Sequence, residues 1–233
     1  GASNAVAFDL TAACSGFLFA LVTASQYLAS GSMKRAVVIG ADQLSKWVDW
    51  DDRKTCVLFG DGAGAVAVEA SGDKSGLIGF GLKSDGNRGG CLNLYQSNMF
   101  LDLVKGATHQ KGGYLPIKME GKEVYKFAVK EVPIILGELL EKYQIDSEKI
   151  DWLLLHQANQ RILDAVAGRF SIPSKKVLSN LANYGNTSAA TIPLMLDEAV
   201  RDERIKSGDL IACSGFGAGL SWGAALFNWH GPY

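Results

Sequence analysis

The chain has 233 residues, 48% hydrophobic and 20% charged, with 27 glycines and 5 prolines. That is enough apolar material for a large core, and it excludes disordered, collagen-like and low-complexity classes. A net charge of −1 and a pI of about 6.4 give no global pull toward nucleic acid or an anionic membrane surface.

In chain order, residues 5–10 read as a strand, and a helix follows over 15–30 on i, i+3, i+4 spacing, with Gly31 placed to end it. Residues 36–40 form a short apolar run, expected of a strand covered on both faces. Runs at 55–59 and 65–68 read as strands flanking a tight turn at Gly60-Asp-Gly-Ala-Gly64. Residues 86–118 lack a period and read as a long surface excursion. Helical periodicity returns over 123–143, where Pro133 should kink or split the helix. A strand at 150–155, a helix at 158–170, a strand at 177–181, a helix at 187–205 and strands at 209–214 and 220–229 complete the pattern. Alternating strands and helices imply an α/β fold with a largely parallel sheet. A weak internal echo, strand then polar residue then helix then apolar strand, around Cys14 and again around Asn186, points to a duplicated unit.

No apolar stretch is long enough to span a bilayer, and no secretory signal pattern is visible. Cysteines at 14, 56, 91 and 213 form no CxxC and no close Cys/His pair, which argues against a structural zinc site and for a reducing compartment.

Three polar residues follow predicted strands, where open parallel sheets place their crevice. Cys14, in Thr11-Ala-Ala-Cys-Ser-Gly-Phe17, lies at a helix start, where free N–H groups and the helix dipole favour a thiolate and can hold an oxyanion. It reads either as an acylated nucleophile or as a buried cysteine beside a helix cap. His156 ends the apolar run Trp152-Leu-Leu-Leu-His156, as a cleft residue or a core histidine satisfied by a carbonyl. Asn186, in Tyr184-Gly-Asn-Thr-Ser-Ala-Ala-Thr191, is either a helix cap or a neutral donor suited to a developing enolate. Ser214-Gly-Phe-Gly-Ala-Gly219 suggests a dinucleotide loop, but the 14 residues after it leave no room for the required βαβ unit. A glycine-lined backbone donor remains open there.

Thr11-Ala-Ala-Cys-Ser-Gly-Phe, Phe59-Gly-Asp-Gly-Ala-Gly, His156-Gln-Ala-Asn-Gln-Arg-Ile, Tyr184-Gly-Asn-Thr-Ser-Ala-Ala and Ser214-Gly-Phe-Gly-Ala-Gly occur in this order. Together they resemble β-ketoacyl-acyl-carrier-protein synthase III, the initiating condensing enzymes of type II fatty acid synthesis, over the full length of the chain. Trp47-Val-Asp-Trp50 and Gly121-Lys-Glu-Val-Tyr-Lys126 look like the cyanobacterial and plastid branch. The resemblance implies a thiolase-like αβαβα fold of two pseudo-equivalent halves, residues 1–75 carrying the nucleophile and 76–233 carrying His and Asn. It further implies a homodimer in the cytoplasm, or in plastid stroma. Family members carry a substantial segment before the nucleophile strand, whereas here only thirteen residues precede Cys14. The N-terminal half is therefore expected to be incomplete and the isolated chain unstable or inactive, which activity and melting measurements check.

The resemblance also implies roles. Cys14 would take an acyl group from a short acyl-CoA such as acetyl-CoA, and malonyl-acyl-carrier protein would lose CO₂ and condense with it. The backbone N–H groups of Cys14 and Ala218, beside Gly217, would hold the first oxyanion, and His156, donating from Nε2, would hold the malonyl thioester with Asn186. Phe216 would wall the decarboxylation site, Arg53 and Asn159 would contact CoA, and Lys126 and Arg161 would meet the acidic carrier protein. Lys122 and Ala218 depart from the commoner asparagine and glycine. No cofactor or metal is implied beyond the thioester substrates, and no nucleic acid or membrane partner. The competing readings are a type III polyketide or quinolone-type condensing enzyme and a non-catalytic subunit of a condensing heterodimer. A cysteine protease is disfavoured by the neighbours of Cys14.

Overall fold

A computed structural model describes residues 1–72 and 76–231. The elements run α1 (Gly16–Ala29), β1 (Arg35–Gln43), β2 (Asp61–Glu69), β3 (Leu77–Ser84), β4 (Leu92–Asn93), β5 (Gln96–Val104), β6 (Ala107–Tyr114) and β7 (Lys118–Met119). They continue with α2 (Gly121–Lys142), β8 (Trp152–Leu155), α3 (Gln160–Arg169), α4 (Leu181–Tyr184), α5 (Thr191–Arg201), β9 (Leu210–Gly217) and β10 (Ser221–Asn228).

The main sheet has the order β3-β10-β9-β8. Only β8 and β9 pair in parallel; β10 runs antiparallel to both neighbours, so the sheet is mixed rather than largely parallel. The reason is the length of the link: β9 and β10 are joined by residues 218–220, far too few for a parallel crossover. One face of this sheet carries α2, against which α3 packs; the other faces α1 and α5, which also pack against the antiparallel pair β1–β2. Two apolar cores result. One holds Phe127, Ile135, Leu153 and Leu163 under α2 and α3, and the other holds Phe17, Leu18, Ile192 and Met195 between the sheets. The run α1-β1-β2 recurs as α5-β9-β10, helix then antiparallel strand pair, as the sequence echo suggests. The expected boundary at residues 75–76 falls beside 73–75, which lie outside the described residues. Among the described residues, no helix is long and apolar enough to cross a membrane.

Several expectations need correction. Residues 5–10 form no strand, because a strand exists only by pairing and the backbone bond made here, Ala5 N–H to the Ala2 carbonyl, is a local turn. Residues 36–40 do lie in β1 but are covered on one face: Val38 is buried, while Val37 and Ile39 are 65% and 62% exposed. Residues 55–58 turn rather than extend, Phe59 makes a single parallel bridge to Asn186, and residues 61–64 lie inside β2. There the glycines serve close packing, since a Cβ on Gly64 would lie 2.9 Å from the Leu194 nitrogen in α5. Helix α2 runs through Pro133 unbroken, its neighbours Val132, Ile135 and Leu136 fully packed in the core. The excursion at 86–118 contains the β5–β6 hairpin and the short pair β4–β7. Residues 177–181 make one parallel bridge, Leu153 to Val177, and helix α5 is shorter than expected at both ends.

Gly40 shows how tightly β1 meets the loop before α5. A Cβ there would collide with the carbonyl of Ala189. Gly40→Ala should therefore destabilise the fold by about 1–3 kcal/mol, measurable by chemical denaturation.

Candidate active site

Cys14 sits in a single 3₁₀ turn, Ala13–Ser15, that feeds directly into α1. Ala13 holds φ 46°, a left-handed conformation costly for a residue with a Cβ. Hydroxyls keep this turn in place: Ser15 Oγ donates to the Ala12 carbonyl (2.6 Å) and lies 2.8 Å from Ser221 Oγ. Ser221 Oγ reaches the carbonyls of Ala12 (3.2 Å) and Ala218 (3.1 Å), tying the nucleophile turn to the turn after β9. The approach is closest at Gly217, where a Cβ would lie 2.6 Å from the Cys14 nitrogen. Only glycine fits there.

His156 follows β8, its N–H donating to the Ser214 carbonyl of β9 (2.8 Å). The next residue, Gln157, is buried and braces the strand end. Its Nε2 donates to the Leu155 (2.7 Å) and Leu178 (3.2 Å) carbonyls, and its Oε1 accepts from Asn180 N–H (3.2 Å). Phe216 meets the imidazole edge to face at 5.2 Å.

Asn186 is carried across to Cys14 by its backbone. Its N–H donates to the Leu58 carbonyl (2.8 Å) and its carbonyl accepts from Gly60 N–H (2.9 Å). Both flanking glycines are needed: a Cβ on Gly60 would strike the Tyr184 carbonyl, and Gly185 has φ 66° and lies against Leu58 O. The side-chain Oδ1 accepts Ser188 N–H (2.9 Å), which fixes the carboxamide and leaves its Nδ2 donors uncommitted.

Ser188 links all three side chains. Besides holding Asn186, its hydroxyl hydrogen-bonds the Cys14 thiol, and its carbonyl accepts from Thr191 Oγ1 (2.9 Å). Thr191 Oγ1 in turn lies 2.7 Å from His156 Nδ1. Neither Ser188 nor Thr191 stands out in the sequence, although both lie in the Asn-Thr-Ser-Ala-Ala-Thr run, hydroxyls two and five residues after Asn186. Ser188 also adopts a left-handed φ of 54°.

Burial sets the charge state. Cys14 is 7% exposed, and desolvation pushes its thiol up to about 11, against the lowering by the Ser188 hydrogen bond. A thiolate favoured by the helix start is thus not the resting state, because one turn of helix dipole does not replace lost water. His156 is 1% exposed, and desolvation drives its pKa down to about 3, so the imidazole is neutral.

Cys14, His156, Asn186, Phe216 and Gly217 line one cavity of about 590 Å³. Asn159, Lys126 and Arg161 also line it and are exposed, as at a mouth. Lys126 is paired with Glu123 (2.7 Å), and the Asn159 side chain caps α3, its Oδ1 accepting Arg161 N–H (2.9 Å). Lys122 lines the cavity too. Arg53 and Ala218 do not: Arg53 sits in an exposed turn, and Ala218, next to Gly217, is half-buried against the core.

A thiol, a neutral imidazole and a carboxamide around one cavity, on a layered α/β scaffold, define a thiol-dependent acyltransferase of condensing type. Residues 8–86 match the family 3-oxoacyl-[acyl-carrier-protein (ACP)] synthase III, and residues 140–229 match 3-oxoacyl-[acyl-carrier-protein (ACP)] synthase III C terminal. The chain is 90% identical over 233 residues to beta-ketoacyl-[acyl-carrier-protein] synthase III of Prochlorococcus marinus (strain NATL2A), covering 100% of this chain and 69% of that protein. The fold matches the crystal structure of 3-oxoacyl-[acyl-carrier-protein] synthase III from Aquifex aeolicus VF5 with a TM-score of 0.87 and 42% identity, covering 98% of this chain and 68% of that one. A priming β-ketosynthase of a polyketide biosynthetic pathway matches with a TM-score of 0.85 and 33% identity, covering 100% and 68%. The chain belongs to the 3-oxoacyl-[acyl-carrier-protein] synthase III family, and its fold is thiolase-like.

The buried imidazole makes stability pH-dependent. In the unfolded chain His156 takes a proton near pH 6.5, whereas in the fold it stays neutral down to about 3. Its contribution is complete above 6.5 and is lost as pH falls toward 3, at about 1.4 kcal/mol per pH unit. Thermal melts from pH 7 to pH 4 should therefore show a steeper loss for the parent protein than for His156→Gln.

Proposed function

We propose that the protein catalyses the decarboxylating condensation of a short acyl-CoA, acetyl-CoA first among them, with malonyl-acyl-carrier protein, the initiating step of type II fatty acid synthesis. The observation that carries the reading is the convergence of Cys14, His156 and Asn186 on one cavity. In the first half-reaction the Cys14 sulfur bonds to the acyl carbon, the carbon–sulfur bond to CoA breaks, and the thiol proton leaves with CoA. Backbone N–H groups of Cys14 and Ala218 are the proposed oxyanion donors; the Ser221 hydroxyl holds the Ala218 carbonyl, and Gly217 permits the approach.

In the second half-reaction the malonyl unit loses CO₂, and the resulting enolate attacks the acyl-enzyme and releases Cys14. The uncommitted Asn186 Nδ2 and the His156 ring are the groups that would hold the thioester oxygen as charge builds on it. Phe216 supplies an apolar wall against the imidazole, where a carboxylate is less stable than neutral CO₂. Asn159 and Arg161 at the mouth are the proposed contacts for CoA and the acidic carrier protein, with Lys126 released from Glu123. Arg53, outside the cavity wall, would meet only the distal part of CoA. The thioesters carry the energy of the reaction, so the scheme calls on no further cofactor. We further propose halves at 1–75 and 76–233, a homodimer, and a cytoplasmic or plastid-stroma setting. The similarity to a polyketide priming synthase supports a second reading, with a larger starter in the same chemistry.

In the protein carrying the N-terminal segment of its family, incubation with acetyl-CoA should add one acetyl group at Cys14 by mass spectrometry, and Cys14→Ala should take none. Asn186→Ala should keep this acylation and lose malonyl decarboxylation by about 10²–10³-fold. Labelling only by larger acyl-CoAs would favour the polyketide reading, and no adduct with any of them would overturn both.

A further inference from the structure

The Ser188–Ala190 turn holds Cys14 and Asn186 directly and reaches His156 through Thr191, and it is itself braced by β1. Along the inward face of that strand Val38, Gly40 and Asp42 alternate with the exposed Val37, Ile39 and Ala41. Gly40 lies against the Ala189 carbonyl, and Asp42 Oδ2 accepts the Ala189 N–H at 3.1 Å. The Ala189 methyl packs toward Gly16 at the start of α1, where a Cβ would lie 3.6 Å away. One residue of the turn is thus gripped at its N–H, its carbonyl and its side chain. The elements packed most closely on the Cys14 turn are α1, β9, β10 and the Ser188–Ala190 turn, and none of them carries Asp, Glu, Lys, Arg or His. Among the other titratable groups nearby, burial keeps His156 and the Cys213 thiol neutral, and Lys122, Lys126 and Arg161 are exposed at the cavity mouth. Asp61, on the neighbouring strand beside Lys46, is exposed and taken up by the Ser45 N–H (2.8 Å) and hydroxyl (2.6 Å). Burial is the main cause of the raised Cys14 thiol, and the Asp42 carboxylate adds charge repulsion to it.

We propose that Asp42 is a positioning residue for this site: its carboxylate clamps the turn that aims Asn186 and Ser188, and its charge keeps Cys14 a thiol while no acyl donor occupies the cavity. The clamp rests on the condensation reading above, whereas the charge effect concerns the thiol alone. The two roles fit one side chain, because the strand that presents the hydrogen-bond acceptor also brings the only carboxylate acting on the sulfur among the described residues. A free thiolate near Asp42 suffers repulsion for as long as it exists. A sulfur bonding to an acyl carbon instead passes its charge to the thioester oxygen, where main-chain donors can take it. Stray electrophiles and oxidants attack thiolates rather than thiols, so the resting nucleophile is shielded from them without losing its reaction with a bound thioester.

The test compares the parent with Asp42→Asn and Asp42→Ala, each in the protein carrying the N-terminal segment of its family. Asparagine keeps an oxygen for the Ala189 N–H and removes the charge; alanine removes both. Alkylation of Cys14 by iodoacetamide, followed across neutral and mildly alkaline pH by mass spectrometry of its peptide, needs no substrate. It should run about 3- to 10-fold faster in Asp42→Asn than in the parent, because the thiolate fraction rises tenfold for each unit by which the thiol pKa falls. The melting temperature of Asp42→Asn should match the parent's. Malonyl decarboxylation should fall about 10- to 100-fold in Asp42→Ala, the scale of loss for a displaced catalytic group, and Asp42→Asn should recover most of that loss. Equal alkylation rates in the parent and Asp42→Asn overturn the proposal, and so does undiminished decarboxylation in Asp42→Ala. Faster alkylation of an Asp42→Asn protein that also melts lower would reflect a loosened site rather than a lost charge, and overturns it too. If Asp42→Ala does not fold, the alkylation and melting of Asp42→Asn decide. A parent that decarboxylates no malonyl substrate counts against the condensation reading, and the alkylation comparison then decides on Asp42 by itself.

Discussion

The site depends on how closely two stretches of backbone can approach each other. Asn186 exchanges two hydrogen bonds with the 58–60 segment, and Gly217 lies against the backbone of Cys14. Each contact passes through positions where a single methyl group would intrude on main-chain atoms, so glycine occupies them. Residues from the ends of β8 and β9 and from the loop before α5 are thereby delivered to the mouth of α1. Ser188 completes the join, because its N–H, hydroxyl and carbonyl each serve a different member of the set.

Packing also determines the electrostatics. The two cores close around the cavity so completely that a thiol and an imidazole are stripped of water, and both give up their charge rather than the fold giving up its density. A preformed thiolate–imidazolium pair would need solvent or fixed counter-charges. Around these two groups the wall offers hydroxyls, a carboxamide and main-chain groups instead, and the lining cations Lys122, Lys126 and Arg161 are exposed. Such neutral dipoles suit a reaction in which negative charge appears briefly on a thioester oxygen and then departs. Left-handed backbone at Ala13 and Ser188 marks where the chain is bent to aim these groups.

Much of this could be read from the amino acids. His156 stands out because it ends an apolar run, and a strand end is where a side chain can leave the core without being stranded in it; Cys14 stands out among small residues at a helix start. Asn186 stands out for the same reason, at a loop-to-helix joint. The glycine cluster at 60–64 reads as a turn because glycine signals a turn and a close approach in the same letters; only the position of α5 tells them apart. Residues 5–10 carry a strand's composition, but pairing is a property of the neighbour and leaves no trace in the segment itself. The same holds for β1, whose Val37 and Ile39 look like core residues and are not covered. Ser188 and Thr191 do not stand out in the sequence because isolated hydroxyls are common at helix starts, and their importance lies in what they touch.

Asn186 divides its labour between main chain and side chain. Its peptide groups anchor the loop to residues 58–60, while the carboxamide contributes only Oδ1 to that framework. The socket is therefore built independently of the tool it holds. A lineage could exchange the head group at this position, and with it the reaction's selectivity, without rebuilding the architecture that presents it.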